Sequence, residues 1–239
     1  MSKDTKRGYL LEDEKEFRGD QLNKLQTAAK ELLYLINRRY KIKNASTFVG
    51  NHYLFSERQR LALSRSISSI ADIKLREAKQ IHQQNGNSTR IREVNIDGFN
   101  TIITLEVALS GSPLLECIDG SFRDLAGLRG TYRIIEKTQI AVELILTWLD
   151  HMQIEKANIY LDAPVSNSGR LKTLIECKAT KFQVKININV INNVDSVLEK
   201  LPFVITSDAI ILNKCESWIN MNKDIIENEI YDVWCVRLV

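Results

Sequence analysis

The sequence is poor in the residue types from which proteins build disulfides, zinc sites and histidine-based active sites. Its 239 residues include only three histidines, His52, His82 and His151, and four cysteines that form no CxxC pair. The cysteines are Cys117, Cys177, Cys215 and Cys235. Their wide spacing argues against a zinc site or a disulfide framework and predicts free, buried thiols in a reducing compartment. We therefore expect any chemistry to depend on carboxylates.

Long hydrophobic runs and nucleotide-binding glycine motifs are also missing. No stretch reaches the roughly 20 apolar residues of a membrane span, and the N-terminal MSKDTKRGYLLEDEKEF is too charged for a secretory signal. The sequence contains neither GxGxxG nor GxxxxGKS, which disfavours a nucleotide-binding or phosphotransfer enzyme. A cytoplasmic protein without membrane contact is the expectation.

What is present is an uneven distribution of charge. Residues 1 to 93 carry 19 Lys and Arg against 11 Asp and Glu, whereas residues 94 to 239 carry 14 against 19. A basic front half attracts phosphate groups, and clustered acids in a back half either bind cations or solvate a surface. The two halves are therefore expected to have different tasks.

The first 88 residues have the periodicity of a helical module. Residues 1–20 are polar and expected to be frayed, and LNKLQTAAKELLYLINRRY then has apolar residues at helical spacing. After a connector, KIKNASTFVGNHYLF, Ser56 and Gln59 have the spacing of a capping box and open a long helix through residue 84. The loop NGNS at 85–88 marks a boundary, which predicts domains at 1–88 and 89–239.

Beyond this boundary, short apolar strands alternate with helices. Strands are predicted at REVNI, LLECI, ANIYL, FQVKININVI, PFVIT and, at the end of the chain, YDVWCVRLV. Helices are predicted between most of them, the last at DAIILNKCESWIN. This alternation is typical of an α/β fold with a parallel, doubly wound, Rossmann-like sheet.

Three predicted strands end in the same way, with an aspartate at the carboxyl end. VNI leads into Asp97, NIYL into Asp162 and FVITS into Asp208. In an open α/β sheet the ligand site lies beyond the carboxyl ends of the strands, so we expect these carboxylates to converge. Converging carboxylates repel one another unless a cation is present, and Mg²⁺ or Mn²⁺ suits such an oxygen site. For each aspartate alone, a turn or a helix cap is the favoured explanation, and only the recurrence of all three favours a shared site.

Two loops near these strand ends add further candidates. In CIDGSFRDLAGLRGTYR, Asp119 and Asp124 are candidates for a fourth carboxylate, and three arginines are candidates for phosphate contacts; the alternative is a solvated loop with internal pairs. These arginines are Arg123, Arg129 and Arg133. In SNSGR, Ser168 and Arg170 either bind phosphate at a helix N-terminus or cap that helix.

The helix after the first aspartate contributes two weaker candidates. Asn100, three residues beyond Asp97, assists a metal or substrate or else caps the helix. Glu106, later on the same helix, is a further metal candidate.

The segments IDGFN at 96–100, LDAPVSNSGR at 161–170 and VITSDAIIL at 204–212 resemble the PIN-like superfamily with its NYN branch. The whole chain is similar to uncharacterised archaeal proteins in which a helical module precedes a PIN-like domain. The resemblance implies a metal-dependent ribonuclease fold in which Asp97, Asp162 and Asp208 are catalytic and bind the metal. Many PIN domains carry a further acid on a helix, for which Glu106, Asp119 and Asp124 are the alternatives here. The segment 117–133 departs from an ordinary PIN domain, which leaves an altered or inactive site as an alternative.

The helical module carries the basic surface. Residues 21 to 92 include 14 basic and 4 acidic side chains, with aromatic residues between the basic clusters, as in nucleic-acid surfaces. The candidates are Arg38, Arg39, Lys41, Lys43, Arg58, Arg60 and Arg65, and the aromatic residues are Tyr40, Phe48, Tyr53 and Phe55. The alternative is a solvated helix face whose aromatic residues form a small core.

Two functional hypotheses follow. The first is an Mg²⁺- or Mn²⁺-dependent endoribonuclease that cleaves RNA with metal-activated water at the aspartates. The second is a non-catalytic RNA-binding or ribonucleoprotein-assembly protein with a degenerate PIN-like site. RNA is preferred over DNA because of the resemblance alone. The oligomeric state stays open, with a homodimer among the alternatives.

Overall fold

The computed structural model describes residues 5–82, 91–127 and 130–239 and has an α/β fold. A helical module comes first, and a parallel four-stranded sheet with interleaved helices follows. The helices of the module are α1 (Asp13–Glu16), α2 (Gly19–Ile36), α3 (Ile42–His52), α4 (Glu57–Ser66) and α5 (Ile70–Lys79). Within the described residues, no helix combines the length and the apolar character that a membrane crossing requires.

The helical module confirms some predictions and corrects others. Ser56 and Gln59 form the expected capping box at the start of α4. The expected long helix is two helices, because the backbone is extended at Ile67 and the Ser69 side chain caps α5. The expected connector contains α3. The prediction of a frayed start is wrong for the described residues, since Phe17 packs in a core and Asp13 is fully buried.

The second half has the predicted alternation of strands and helices. In chain order its elements are β1 (Glu93–Asp97), α6 (Gly98–Leu109), β2 (Leu114–Glu116), β3 (Phe122–Arg123), α7 (Glu136–His151), β4 (Lys156–Asp162), α8 (Ser168–Ala179), β5 (Lys185–Ile191), α9 (Val194–Leu198), β6 (Val204–Ile205), α10 (Ala209–Lys214), α11 (Met221–Glu229) and β7 (Cys235–Arg237). Helix α11 was not expected. Helix α10 is shorter than predicted, because the backbone leaves the helical conformation at Cys215.

The larger sheet has the order β5-β4-β1-β6, and every neighbouring pair is parallel. Strands β1, β4 and β5 therefore run outward in one direction, and β6 adds on the other side of β1. The order reverses between β1 and β6, and the carboxyl ends of strands at such a switch point are where α/β folds bind ligands.

Both faces of this sheet are covered, as expected for a doubly wound sheet. One face buries Ile96 and Ile159 in the main core, together with residues of α6, α7, α8 and α11. The opposite face packs Tyr160 and Val204 against α9 and α10 in a smaller core. Because side chains alternate along a strand, Asn95 and Asp97 belong to this second face, away from Ile96.

A small second sheet joins the two halves of the chain. It has the order β3-β2-β7, so the predicted last strand pairs with β2 and not with the larger sheet. Leu115 of β2 and Val236 of β7 share a core with Leu25 and Leu32 of α2. The helical module therefore packs directly on the second half, while the NGNS boundary lies outside the described residues and stays a prediction.

Candidate functional site at the sheet switch point

Asp97 ends β1 and is buried at the switch point of the larger sheet. Its side chain is 6% exposed, and its Oδ2 accepts a hydrogen bond of 2.8 Å from the Thr206 hydroxyl. Burial, together with the negative charges of Asp208 and Asp195, raises the pKa of Asp97 to about 7, against the lowering effect of the hydrogen bond from Thr206. No salt bridge joins Asp97 to a residue that the structure describes.

Gly98 allows α6 to begin directly after β1. A Cβ atom at this position would lie 2.6 Å from Leu161 Cδ2 and 2.9 Å from the Tyr160 carbonyl oxygen. Both distances are too short for a side chain, so glycine is required where α6 passes β4. The IDG sequence therefore places Asp97 at the carboxyl end of β1, and α6 starts at the next residue.

Asn100 ties the start of α6 to the end of β6. Its Oδ1 accepts hydrogen bonds from the backbone N–H of Ser207 at 2.8 Å and from the Ser207 hydroxyl at 2.9 Å. Thr206 in turn accepts the Asp208 N–H through its hydroxyl oxygen at 3.1 Å while donating to Asp97. One threonine hydroxyl therefore links the Asp97 carboxylate to the backbone of Asp208.

Asp208 caps the helix that follows it, as its position before α10 predicts, and this uses only one of its two carboxylate oxygens. Its Oδ1 accepts the Ile210 N–H at 2.7 Å and the Ile211 N–H at 3.2 Å, which caps α10. Its Oδ2 accepts no hydrogen bond from the residues that the structure describes. The cap and the ligand interpretations of Asp208 are therefore compatible.

Asp162 ends β4, the strand on the other side of β1, and accepts a long hydrogen bond of 3.5 Å from the Val194 N–H. The structure adds a fourth carboxylate, Asp195, in the first turn of α9. Partial desolvation and the charges of Asp208 and Asp162 raise the pKa of Asp195. Sequence reasoning missed Asp195, although it follows β5 through a polar turn and so fits the strand-to-aspartate pattern.

The four carboxylates follow the carboxyl ends of the parallel strands, but they do not form a complete metal site. Within the described ranges, no three Asp, Glu, His or Cys side chains are grouped closely enough to hold a metal ion. The donor set is nevertheless entirely oxygen, and Asp97 and Asp208 repel each other where no cation neutralises them. Mg²⁺ is commonly held by one or two carboxylates with water and substrate phosphate, so the residues fit a partial site of that kind.

Asp119 belongs to a different arrangement, a buried ion-pair network. Its Oδ2 contacts both Arg76 and Arg123, and its Oδ1 accepts the Ser121 hydroxyl at 2.6 Å. Burial raises the pKa of Asp119, but Arg123, Ser121 and Arg76 outweigh it and hold that pKa below its ordinary value. Both of its oxygens are thus occupied by partners within the protein, as in the alternative of internal pairs.

Arg123 is buried, and its guanidinium forms hydrogen bonds beside the site. It donates to the Ser207 carbonyl oxygen at 2.6 Å and to the Arg65 carbonyl oxygen. Asp124, the other acid of this loop, accepts the Ala126 N–H at 2.8 Å and lies 3.6 Å from Arg65. The loop therefore connects the helical module to the end of β6.

A cavity of about 600 Å³ lies between the helical module and the switch point. Asn100, Ser207 and Asp208 line it, together with Arg39 and Arg65 of the helical module. This volume lies within the range of small-molecule and nucleotide sites. The tertiary structure therefore brings the acidic sheet edge and part of the basic module to one opening.

The remaining basic candidates separate into exposed and internally bonded side chains. Arg38, Arg39, Lys41 and Lys43 are exposed around the turn between α2 and α3. The side chain of Arg58 donates to Asp13, Leu125 and Gly8, and that of Arg60 donates to Phe55 and Asn51. Arg60 thus holds segments of the helical module together, and Arg58 also joins the module to the second half of the chain.

The other candidates lie elsewhere. Ser168 is the first residue of α8, and Asn167, in a left-handed conformation, precedes it as the cap residue. Arg133 and Arg170 are exposed, and Arg129 lies outside the described residues. Nothing in this geometry tests their roles, which stay predictions.

Glu106 of α6 is fully buried, and its carboxylate bonds to side chains that surround this helix. It forms a salt bridge of 2.7 Å with Arg7 and accepts the Tyr132 hydroxyl at 2.7 Å. Its carboxylate is taken up by these partners and Thr138, which fixes the N-terminal segment on the second half.

The fold and the site define a class of protein: an α/β domain with an acidic switch point that is joined to a basic helical module. Comparison with known sequences identifies the family. Residues 86–224, more than half of the chain, match the family described as "Domain of unknown function (DUF5616)". Residues 24–79 match "Protein of unknown function (DUF434)". The chain belongs to the first family, and most of its helical module matches the second.

An archaeal protein is similar to this chain over most of its length. The protein named "Uncharacterized protein MJ0935" from Methanocaldococcus jannaschii is 37% identical over 190 residues, which cover 79% of this chain and 88% of the relative. No PIN-like family model matches the chain. No solved structure matches it either.

Proposed function

We propose that the protein is a divalent-metal-dependent ribonuclease of PIN-like character whose site is the switch point. One observation supports this most: Asp97 is buried without a cationic partner among the described residues, and Asp208, whose charge acts on Asp97, lines the cavity that the basic module also lines. Burying an unpaired carboxylate near others costs stability, and such perturbed groups in clefts cluster at functional sites.

The protein's own residues divide the work. Asp97 and Asp208 would hold the metal, with Asp162 and Asp195 adding negative charge at the same sheet edge. Thr206 fixes the Asp97 carboxylate by its hydrogen bond, and Asn100 fixes the backbone of Ser207 beside it. Arg39 and Arg65 in the cavity wall would meet the phosphates of the RNA.

A bound Mg²⁺ or Mn²⁺ ion would supply charge stabilisation at the phosphodiester and lower the pKa of an attacking water. Its affinity is expected to rise with pH, because the raised pKa of Asp97 keeps part of this carboxyl protonated near pH 7.

The test is cleavage of single-stranded RNA by the purified chain with Mn²⁺ or Mg²⁺. We expect cleavage that chelator stops and that Asp97→Asn or Asp208→Asn lowers at least about 100-fold, since loss of residues that merely orient metal ligands already costs 10- to 100-fold. Asp232→Asn is the matched control, because Asp232 is exposed and has a left-handed backbone that asparagine tolerates.

A second readout does not depend on turnover. Mn²⁺ should raise the melting temperature of the wild type at pH 8 and raise that of Asp97→Asn much less. Equal melting shifts in both proteins, or cleavage unaffected by both substitutions, would refute the assignment of the site.

A second candidate function is RNA binding without catalysis, in ribonucleoprotein assembly. It is favoured by the absence, among the described residues, of a preformed three-ligand metal group. It predicts RNA affinity that falls steeply with salt and no turnover with any divalent ion. Persistent binding combined with no cleavage in both Mg²⁺ and Mn²⁺ would decide for this candidate.

A further inference from the structure

Three aromatic side chains of helices α2 and α3 and the turn between them lie exposed. Tyr34 is 57%, Tyr40 58% and Phe48 70% exposed. Tyr34 and Phe48 line one shallow groove of about 400 Å³, and Tyr40 lines the large cavity at the switch point. Large apolar side chains that cluster on a surface commonly mark an interaction site.

Neighbouring aromatic residues show that this exposure is not a general feature of the module. Phe55 is buried, and its ring stacks on that of Tyr53 with centroids 5.3 Å apart. The Tyr53 hydroxyl also donates to Glu31 at 2.8 Å. Of the aromatic residues expected at a nucleic-acid surface, Tyr40 and Phe48 are therefore available, whereas Tyr53 and Phe55 contribute to packing.

The charge around the exposed rings is mainly positive, although Glu31 lines the groove with Tyr34 and Phe48. Residues 21 to 52 contain six Lys and Arg and a single acid, Glu31. The six cations, all exposed, are Lys24, Lys30, Arg38, Arg39, Lys41 and Lys43. The Arg38 guanidinium lies over the Tyr34 ring, 3.5 Å from its centroid. A planar cation stacked on a ring, with both exposed, presents a flat and positively charged surface.

We propose that this surface, formed by Tyr34, Arg38, Tyr40 and Phe48 and named here the stacking platform, binds the unpaired bases of a single-stranded nucleic acid. Aromatic rings and guanidinium planes stack on bases only where these are not already stacked in a duplex. The surrounding lysines and arginines complement the phosphate backbone. Because Tyr40 lines the large cavity, a strand on the platform leads towards Asp208.

The choice of RNA as the nucleic acid rests on the proposed ribonuclease function, whereas the platform itself requires none of the carboxylates. Binding is therefore measured separately from cleavage, with the Asp97→Asn protein in chelator. The probes are a fluorescent single-stranded RNA and the same strand annealed to its complement, followed by fluorescence anisotropy.

Phe48→Ala and Arg38→Lys should each weaken binding of the single strand at least about 5-fold. Arg38→Lys keeps the charge and removes only the stacking plane, so binding of the duplex should change little. The matched control is Tyr231→Ala, because Tyr231 is 87% exposed and lies in the second half of the chain. It should leave both affinities unchanged.

Three outcomes would overturn the platform: unchanged single-strand affinity in both variants, an equal loss in Tyr231→Ala, or equal losses for single strand and duplex. A change in self-association with unchanged RNA affinity would assign the surface to a second copy of the chain and also overturn it. None of these results depends on cleavage, so the ribonuclease proposal can fail while the platform holds, and the reverse.

Discussion

Asp97 and Asp119 are two buried aspartates of the same half of the chain, yet their surroundings carry opposite charge. Asp119 is 7% exposed and contacts Arg76 and Arg123, which hold its pKa below the ordinary value against the effect of burial. Asp97 is 6% exposed, and burial together with Asp208 and Asp195 raises its pKa to about 7. Burial is the same in both cases, and the partners differ.

This difference separates a structural carboxylate from a candidate functional one. The carboxylate of Asp119 is neutralised by two arginines and connects α5 with the second half of the chain, so its loss would leave buried positive charge unpaired. A carboxylate beside other carboxylates costs stability, and a protein bears this cost where the group has a task. The comparison therefore gives a physical reason to assign the site to Asp97 and not to Asp119.

The largest expected effect is the opposite response of stability to the loss of each charge. Asp119→Asn leaves Arg76 and Arg123 buried without their counter-charge and should lower the free energy of unfolding by roughly 3–5 kcal/mol. Asp97→Asn removes a buried charge and should raise this free energy at pH 8. Denaturant unfolding measures both, with the exposed Asp232→Asn as control. The contrast fails if both variants are destabilised alike.

A second test is the pH dependence of stability. The folded pKa of Asp97 is about 7 and the ordinary value is 3.8, so between these values the folded protein keeps a proton that the unfolded chain has lost. Protonated Asp97 contributes to the free energy of unfolding. This contribution is fully present below pH 3.8 and is lost as pH rises through 7, with a slope of at most about 1.4 kcal/mol per pH unit.

The difference between wild type and Asp97→Asn isolates this contribution. It should grow between pH 4 and pH 7 and level off above. Asp119 has the opposite sign, because its lowered pKa gives stability that is present above its ordinary value and is lost as pH falls further. A difference curve that is flat between pH 4 and pH 7 would contradict the raised pKa of Asp97.

The smallest expected effect comes from the hydrogen bond between Thr206 and Asp97. Thr206→Val removes a donor that lowers the pKa of Asp97, so that pKa should rise further, by up to about one unit. The midpoint of the pH-dependent stability should move upward accordingly. Thr173→Val, at an exposed threonine on α8, is the control and should not move it.

Much of the site could be predicted from local sequence. A short apolar run followed by an aspartate predicted Asp97, Asp162 and Asp208 at strand ends, and these ends belong to three adjacent parallel strands. The same rule could have found Asp195 beyond β5. Local patterns could not indicate that α11 would form, because its mostly polar sequence becomes helical where Met221 and Ile225 pack against α6 and α7.

The amino-acid sequence by itself determined the alternation of strands and helices, the basic helical front and the acidic strand ends. These properties depend on the spacing of neighbouring side chains, which the order of residues specifies directly. Only the tertiary structure decided which charges meet: Arg76 and Asp119, 43 positions apart, form an ion pair, while Asp97 and Thr206, 109 positions apart, form a hydrogen bond. Such partners depend on strand order and module packing, because charge and burial act through space and not along the chain.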